Sequence, residues 1–336
     1  MNKVLITGSQ GFIGTYLCIE LLNCGYEVIG LDNYSKYGKL IRPHDKNKKF
    51  KFYKADVAKE KVNKIFRFEK PDFIISAAAM IGGISYFNQY SYDLLSINEK
   101  INTNVFDNAI QEFKGGKLKR IIAISSSMVF EKSNKFPTHE KDLKNMPSPL
   151  STYGFSKLST EYFCKGAYEQ YGLPYTIIRP FNCVGVGEDK TLNDHNITSG
   201  NIKLMLSHVV PDLINKCLKG QNPLRILGRG NQVRCYTNGK DIAKAIRLSL
   251  ESNKAINNDY NISIKTPTTV IELAKLIWKK INPNKKFNFI CEKPFNYDVQ
   301  KRIPDISKAK KDLKFEAKIT LEESINEVIE YMKKKN

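Results

Sequence analysis

The sequence predicts an α/β protein with a doubly wound parallel sheet and a smaller C-terminal lobe. Three observations support this prediction. Short apolar runs alternate with helical patterns through the first half of the 336-residue chain, as they do in βαβ units. A glycine-rich turn joins the first apolar run to the first helical pattern. After Pro180 the alternation stops, and the chain becomes polar and rich in Gly and Asn.

The strands of the sheet are predicted from apolar runs, and the helices between them from apolar residues three or four positions apart. The predicted strands are 3–7, 27–32, 50–56, 72–79, 119–127 and 175–182. The predicted helices are 12–25, 58–69, 92–113 and 152–172. Strands and helices that alternate in this way form a parallel sheet, here of about six or seven strands, with helices on both faces.

The C-terminal lobe is predicted from shorter patterns. Residues 183–200 are polar and rich in Gly and Asn, which predicts a loop, and 224–228 form a short apolar strand. The predicted helices of this part are 208–220, 241–252, 269–281 and 321–334.

The composition is that of a globular protein, with 41% hydrophobic residues and a formal net charge of +20. The lysines are spread along the chain, which favours compositional bias over a nucleic-acid surface. No apolar run approaches the length of a membrane span, and the seven cysteines lack the spacing of a metal site. We therefore expect a cytoplasmic protein with reduced thiols and no nucleic acid, membrane or metal partner.

The segment GSQGFIG (8–14) has the pattern GxxGxxG between a predicted strand and a predicted helix. Gly8, Gly11 and Gly14 would allow a tight turn and let backbone N–H groups approach a pyrophosphate at the helix N-terminus. Asp32 ends the next strand, where its carboxylate would accept hydrogen bonds from ribose hydroxyls and repel a 2′-phosphate. The sequence thus predicts NAD rather than NADP. The nearby cations of Lys36, Lys39 and Arg42 would partly offset the repulsion.

The segment STYGFSK places Tyr153 and Lys157 four residues apart, on one face of a helix. To act as a base near pH 7, a tyrosine needs its pKa lowered by about 3 units, or about 4 kcal/mol. A neighbouring ammonium and a positive nicotinamide ring are charges of the kind that lower it. The segment ISSSMVF (124–130) ends a strand with hydroxyls, one of which could hydrogen-bond the same substrate oxygen.

Together these motifs resemble those of the extended short-chain dehydrogenase/reductase family, the nucleotide-sugar epimerases and dehydratases. The resemblance covers nearly the whole chain and includes ADV (55–57), AAA (77–79) and RPFN (179–182). It implies a Rossmann fold, bound NAD, a nucleotide-diphosphate sugar as substrate, and a homodimer. Aligned through Val129 and Phe130, it makes Ser126 the catalytic hydroxyl and Ser125 a structural residue that hydrogen-bonds to backbone.

The resemblance also implies the residues of each site. The catalytic residues would be Ser126, Tyr153 and Lys157. The cofactor contacts would be Gly8, Gly11, Phe12, Ile13, Gly14, Asp32, Asn33, Asp56, Val57, Ala77, Ala79, Asn98, Tyr153 and Lys157. The substrate contacts would be Ser127, Met128, Asn182, His208, Arg234 and Arg302, with the two arginines and Asn182 on the diphosphate. Loop 184–200 and residues 80–88 would shape the selectivity for the sugar.

The residues after Ser126 restrict the chemistry. The 4,6-dehydratases of the family follow the catalytic hydroxyl with Asp-Glu, whereas this chain has Ser127 and Met128, which argues against elimination. His208 matches a histidine acid of the GDP-fucose synthases, but Met128 stands at the position of its partner cysteine. The role of His208 stays open between two alternatives. It contacts the sugar or its phosphates, or it is a residue at a helix N-terminus whose side chain is bonded to backbone.

The sequence therefore predicts an NAD-dependent nucleotide-sugar epimerase that oxidises C4 transiently, with Tyr153 as base and Lys157 lowering its pKa. One alternative is a 4-dehydrogenase that passes the hydride to another acceptor, and another is a non-enzymatic dinucleotide- or RNA-binding protein. We expect residues 1–180 to form the NAD-binding domain, to which segments near 236–265 return. Residues 181–235 and 266–336 would form the nucleotide-sugar-binding lobe.

Overall fold

The structure is a computed structural model that describes residues 2–59, 62–82, 90–188, 198–199, 202–203, 208–293 and 299–335. Its strands, in chain order, are β1 (Lys3–Thr7), β2 (Glu27–Asp32), β3 (Phe50–Lys54), β4 (Phe73–Ser76), β5 (Arg120–Ile124), β6 (Tyr175–Pro180), β7 (Cys183–Val184), β8 (Thr198–Ser199), β9 (Ile202–Lys203), β10 (Leu224–Ile226), β11 (Val233–Arg234), β12 (Thr237–Asn238), β13 (Asn258–Ile262), β14 (Thr268–Thr269), β15 (Phe289–Cys291) and β16 (Lys301–Arg302). Its helices are α1 (Phe12–Asn23), α2 (Asn63–Glu69), α3 (Ser91–Lys114), α4 (Thr152–Tyr171), α5 (Val209–Leu218), α6 (Gly239–Glu251), α7 (Val270–Ile281), α8 (Ser307–Leu313) and α9 (Leu321–Lys333).

Within the described residues, seven parallel strands form the central sheet in the order β13-β6-β5-β4-β1-β2-β3. The chain lays β1 to β3 in one direction and β4, β5, β6 and β13 in the other, so the order reverses between β1 and β4. In open α/β sheets, such a reversal opens a crevice at the carboxyl ends of the strands. The predicted doubly wound fold is confirmed.

Helices cover both faces of the sheet, which explains the continuous apolar strands of the sequence. Every residue of β4 and β5 is buried, as expected of parallel strands that have no solvent face. Helices α1 and α6 contribute to the core on one face, and α2, α3 and α4 to the core on the other. Helix α1, on one face, begins within the glycine loop, residues 8–14, and α4, on the other face, carries Tyr153. The glycine loop and Tyr153 therefore lie at the same edge of the sheet.

The C-terminal lobe has its own apolar core, built from α5, α7 and α9 and including Trp278. Small sheets complete it, with β10 beside β15 and with β11 between β14 and β16. The parallel pairing of β11 with β16 places Arg234 opposite Arg302. The lobe thus brings together two arginines that are far apart in the sequence.

Most predicted elements lie where the patterns place them, with ends that differ by a few residues. The loop predicted over 183–200 is partly wrong, because β7 pairs with β12 and β8 pairs with β9, while residues 189–197 and 200 lie outside the described residues. Strand β13 was not predicted individually, and it lies in the segment that we expected to return to the first domain. The domain boundaries stay a prediction. No helix in the described part of the chain is long and apolar enough to span a membrane.

Residues 33–49 link β2 to β3 without a helix or strand. His44 is buried in this segment and packs edge-on against Phe50, with ring centroids 4.6 Å apart. Neither ring nitrogen has a hydrogen-bond partner among the described residues. Burial lowers the pKa of His44 to about 4, although the Asp45 carboxylate acts in the opposite direction. His44 is therefore neutral in the folded protein at pH 7.

We expect His44 to make the protein sensitive to acid. Its folded-state pKa lies below the unfolded value of about 6.5, so the unfolded chain binds the proton first on acidification. The free energy of unfolding therefore decreases as the pH decreases. The contribution of His44 to the free energy of unfolding should drop by about 2 kcal/mol between pH 7 and pH 5. Urea unfolding at both pH values should show a smaller drop for His44→Phe, which keeps an aromatic ring against Phe50. Equal drops in the two proteins would contradict this assignment.

Candidate active site

A cavity of about 920 Å³ lies at the carboxyl edge of the sheet, between the sheet and the C-terminal lobe. The structure brings every predicted site residue to the wall of this cavity except Asn98. Residues of the glycine loop line one part, and His208, Arg234 and Arg302 line the part formed by the lobe. The predicted cofactor and substrate residues therefore share one continuous space.

The glycine loop has the geometry that a dinucleotide pyrophosphate requires. Gly8 has φ +75°, and a Cβ there would lie 2.9 Å from the Cα of Ala78. A Cβ on Gly14 would lie 2.0 Å from the carbonyl oxygen of Gly8, so only glycine lets α1 start this close to the loop. Gly11 caps α1 without any side-chain hydrogen bond to the first turn. The first N–H groups of α1 are thus left to an anion, as a phosphate site needs.

We expect Gly14→Ala to weaken NAD binding at least about 10-fold, because the loop and α1 must move apart to admit the methyl group. Gly166→Ala is the matched control, since a Cβ at this position of α4 meets no atom within 4 Å. NAD affinity measured by calorimetry should be unchanged in the control. Wild-type affinity in Gly14→Ala would contradict the proposed phosphate loop.

Asp32 lines the cavity where β2 ends. Its carboxylate accepts hydrogen bonds from the N–H groups of Tyr34 at 2.7 Å and Gln10 at 3.1 Å. Burial raises the pKa of Asp32, while these bonds and the charge of Arg42 oppose the rise. The guanidinium of Arg42 is buried and donates to the carbonyls of Gln10 and Gly187, which commits three of its N–H groups. A carboxylate in this position fits ribose hydroxyls and disfavours a 2′-phosphate.

Asn98 is not among the residues that line the cavity, and its contact with the cofactor stays a prediction. Its side chain is buried in α3, where Oδ1 accepts from the Met80 N–H at 2.7 Å and Nδ2 donates to the Met80 carbonyl at 3.1 Å. Asn98 thus positions the wall segment after β4 rather than lining it. Thr7 has a similar role that the sequence did not reveal, since its Oγ1 accepts from the N–H groups of Ala77 and Ala78.

Ser126, Tyr153 and Lys157 converge where β5 ends. Ser126 caps the 3₁₀ turn Ser127–Phe130, and its Oγ accepts from the Met128 N–H at 3.2 Å. Tyr153 hydrogen-bonds with Ser126. The Nζ of Lys157 donates to the Ile124 carbonyl at 2.8 Å, which fixes α4 against the end of the strand. Serine and tyrosine hydroxyls in contact can act on one substrate oxygen.

The charge states differ from those expected from the sequence. Burial raises the pKa of Tyr153 to about 12, and the Ser126 hydrogen bond and the Arg302 charge lower it too little to compensate. Burial also lowers the pKa of Lys157 to about 8. The prediction that Lys157 lowers the pKa of Tyr153 does not agree with this structure, in which the ammonium is bound to a backbone carbonyl. Among the protein groups, Ser126 and Arg302 act in that direction.

Ser125 has the predicted structural role but a different partner. Its hydroxyl donates to the buried carboxylate of Glu161 at 2.6 Å rather than to backbone. Glu161 also accepts two hydrogen bonds of 2.7 Å from Arg179, so β5, β6 and α4 meet in one buried ion pair. The sequence did not indicate this pair, although Arg179 interrupts an apolar strand.

The substrate side contains an apolar residue where an acid would be needed for elimination. Met128 is buried and packs with Tyr153 and Leu94.

Arg234 donates to the backbone carbonyls of Val233 at 2.9 Å and Gln300 at 3.3 Å, while Arg302 lies beside it on the paired strand. The arginine pair therefore lies at the cavity wall, and its contact with a diphosphate stays a prediction.

His208 lines the cavity and pairs through Nδ1 with the carboxylate of Glu188. Glu188 is buried, and no sequence pattern pointed to it because it lies in a segment without periodicity. His208 precedes α5 without a side-chain cap bond, so its alternative role as a backbone-bonded helix residue is not observed. Of the segments predicted to select the sugar, residues 83–88, 189–197 and 200 lie outside the described residues.

Comparison with known families identifies this arrangement. The model of the NAD dependent epimerase/dehydratase family matches residues 4–263. The chain belongs to this family. The predicted enzyme class and NAD as cofactor are thereby confirmed. The glycine loop and Asp32 are residues of this chain whose geometry fits NAD.

Relatives and solved structures match this member of the family over almost its whole length. A protein named putative UDP-glucose 4-epimerase from Methanocaldococcus jannaschii is 30% identical and is covered over 99% of both chains. The crystal structure of UDP-glucose 4-epimerase from Thermotoga maritima with UDP-glucose has a TM-score of 0.83 at 28% identity, with 99% of both chains covered. UDP-glucuronic acid 4-epimerase from Bacillus cereus, in complex with UDP-glucuronic acid and NAD, has a TM-score of 0.81 at 25% identity, covering 99% of this chain and 100% of that one.

Proposed function

We propose that this chain is a UDP-sugar 4-epimerase that works by transient oxidation at C4. The observation that carries the proposal is the cavity in which the glycine loop faces Ser126 and Tyr153, with the apolar Met128 beside them. The similarity to relatives named as UDP-glucose and UDP-glucuronate 4-epimerases supports UDP as the nucleotide.

Each catalytic group has a role that its position supports. With its pKa lowered by the positive nicotinamide ring of bound NAD, Tyr153 would accept the proton of the sugar C4 hydroxyl and return it later, while the Ser126 hydroxyl hydrogen-bonds the same oxygen. Bound NAD supplies the reversible hydride acceptor that the oxidation requires. Lys157 and Asp32 line the cofactor part of the cavity, and Arg234 and Arg302 provide guanidinium groups on the diphosphate side. Ser127 and Met128 offer no acid and base pair, so water is not eliminated and the sugar is released as its epimer.

The test is proton NMR of the purified protein without added cofactor, supplied in turn with UDP-glucose, UDP-glucuronate, and GDP-, CDP- and dTDP-sugars. We expect a UDP-sugar and its C4 epimer to approach equilibrium. A ketone that forms only when NAD or a keto-acid is added would instead establish a 4-dehydrogenase. Retention of RNA without any sugar turnover would establish the binding protein.

The proposal includes a cytoplasmic homodimer. The seven cysteines are free, which supports a reducing compartment. Light scattering should give twice the 38.4 kDa chain mass.

A further inference from the structure

Arg42 joins three segments around the cofactor part of the cavity. Its Nε and Nη2 donate to the Gln10 carbonyl at 3.1 and 2.9 Å, and its Nη1 donates to the Gly187 carbonyl at 3.1 Å. Gln10 lies in the glycine loop, Arg42 lies in the link between β2 and β3, and Gly187 follows β7. Arg42 is 5% exposed. One buried side chain thus bridges parts of the chain that are 145 residues apart.

Asp45 completes this junction from the same segment. Its Oδ2 accepts from the Arg42 N–H at 2.7 Å, and its Oδ1 accepts from the Gln10 side-chain amide at 2.9 Å. The ring of Tyr37 lies under the guanidinium, 5.5 Å from its central carbon. The link therefore contacts the glycine loop through both the Arg42 and the Asp45 side chains.

The same link also contributes residues 33–38, the cover, to the wall of the cavity. Positions 33–38 line it in an unbroken run next to Gln10 and Gly11. Because residues 33–49 contain no helix or strand, their place over the glycine loop depends on side-chain bonds such as those of Arg42. A planar guanidinium can direct two N–H groups at one carbonyl and a third at another, which a lysine cannot do.

We propose that Arg42 is a clasp that keeps NAD bound from one turnover to the next. For the cofactor to leave, the 33–38 cover must move off the glycine loop, and that movement breaks the bonds of Arg42 to Gln10 and Gly187. The clasp also ties the cover to the substrate side, since Gly187 precedes Glu188, the partner of His208. The inference rests on the proposed function, in which one cofactor molecule stays through oxidation and reduction.

The experiment measures release of the cofactor directly. Protein loaded with radiolabelled NAD is mixed with a large excess of unlabelled NAD, and the label retained on a filter is followed with time. We expect release at least about 10-fold faster from Arg42→Met, with smaller increases for Arg42→Lys and for Asp45→Ala. Arg67→Met removes an exposed arginine from α2 and should release label at the wild-type rate.

A second readout separates a clasp from a general loss of folding. After dilution, Arg42→Met should lose epimerase activity and regain it when NAD is added. Release at the wild-type rate from folded Arg42→Met, or lost activity that NAD does not restore, would overturn the proposal. Asp45 is exposed, so Asp45→Ala should fold even if Arg42→Met does not. In that case, release of label from Asp45→Ala at the wild-type rate would overturn the proposal. Label release is measured without sugar, so it tests the clasp independently of epimerisation. A protein that epimerises no sugar would refute the proposed function without changing the measured release of NAD.

Discussion

Tyr153→Phe should lower the rate of C4 epimerisation about 10²- to 10⁴-fold, because the proton of the sugar hydroxyl then has no acceptor. The Tyr153 side chain is buried beside Ser126 in the cavity. The substitution removes its hydroxyl and leaves the ring that packs against Met128. NAD binding should change little, since the glycine loop and Asp32 are untouched. Proton NMR of the sugar anomeric signals measures the rate, and calorimetry measures NAD affinity.

The matched control for this variant is Tyr162→Phe. Tyr162 lies on the same helix and is exposed, so the same hydroxyl is removed away from the cavity. We expect wild-type turnover from the control. Turnover by Tyr153→Phe within a few-fold of the wild type would refute the assignment of the base, and with it the proposed mechanism.

Glu161→Ala should lower the free energy of unfolding by about 3–5 kcal/mol. Glu161 is fully buried and binds both Arg179 and Ser125, so its loss leaves a buried guanidinium with the Asp259 carboxylate as its remaining ionic partner. Because Ser125 precedes Ser126, the proposed catalytic serine, the variant that still folds should also turn over more slowly. Urea unfolding followed by circular dichroism measures the stability.

Glu169→Ala serves as the control for Glu161→Ala. Glu169 lies on the exposed face of α4, where a truncated carboxylate leaves no buried charge. We expect a change within about 0.5 kcal/mol for the control. A loss of less than about 1 kcal/mol in Glu161→Ala would show that Arg179 does not depend on this pair.

Much of the cofactor part could be predicted because its chemistry is local in the chain. The glycine loop, α1 and Asp32 belong to one βαβ unit, where the spacing of residues already fixes which groups meet. Tyr153 and Lys157 share a helix face for the same reason. The crevice that receives these groups follows from the alternation of strands and helices, which also predicts the parallel sheet.

The structure gives Asn98 and Lys157 protein contacts that the sequence did not indicate. Asn98 was expected to touch the cofactor, but a buried amide needs several hydrogen bonds and finds them on Met80. Lys157 was expected to act on Tyr153, but its ammonium is bound to the Ile124 carbonyl. Spacing places two residues on one face of a helix, yet it does not say which neighbour satisfies a buried polar group.

The sequence by itself therefore determined the fold class and the choice of NAD, and it predicted the phosphate loop and the proposed catalytic residues Ser126, Tyr153 and Lys157. Only the tertiary structure decided the long-range partners, namely Glu161 with Arg179, Glu188 with His208, and Arg42 with Gly187. The physical reason is that most buried charges and amides are paired when water is excluded. Which partner each group finds depends on how strands and lobes pack, and residues 145 positions apart in the chain share no local pattern that could reveal it.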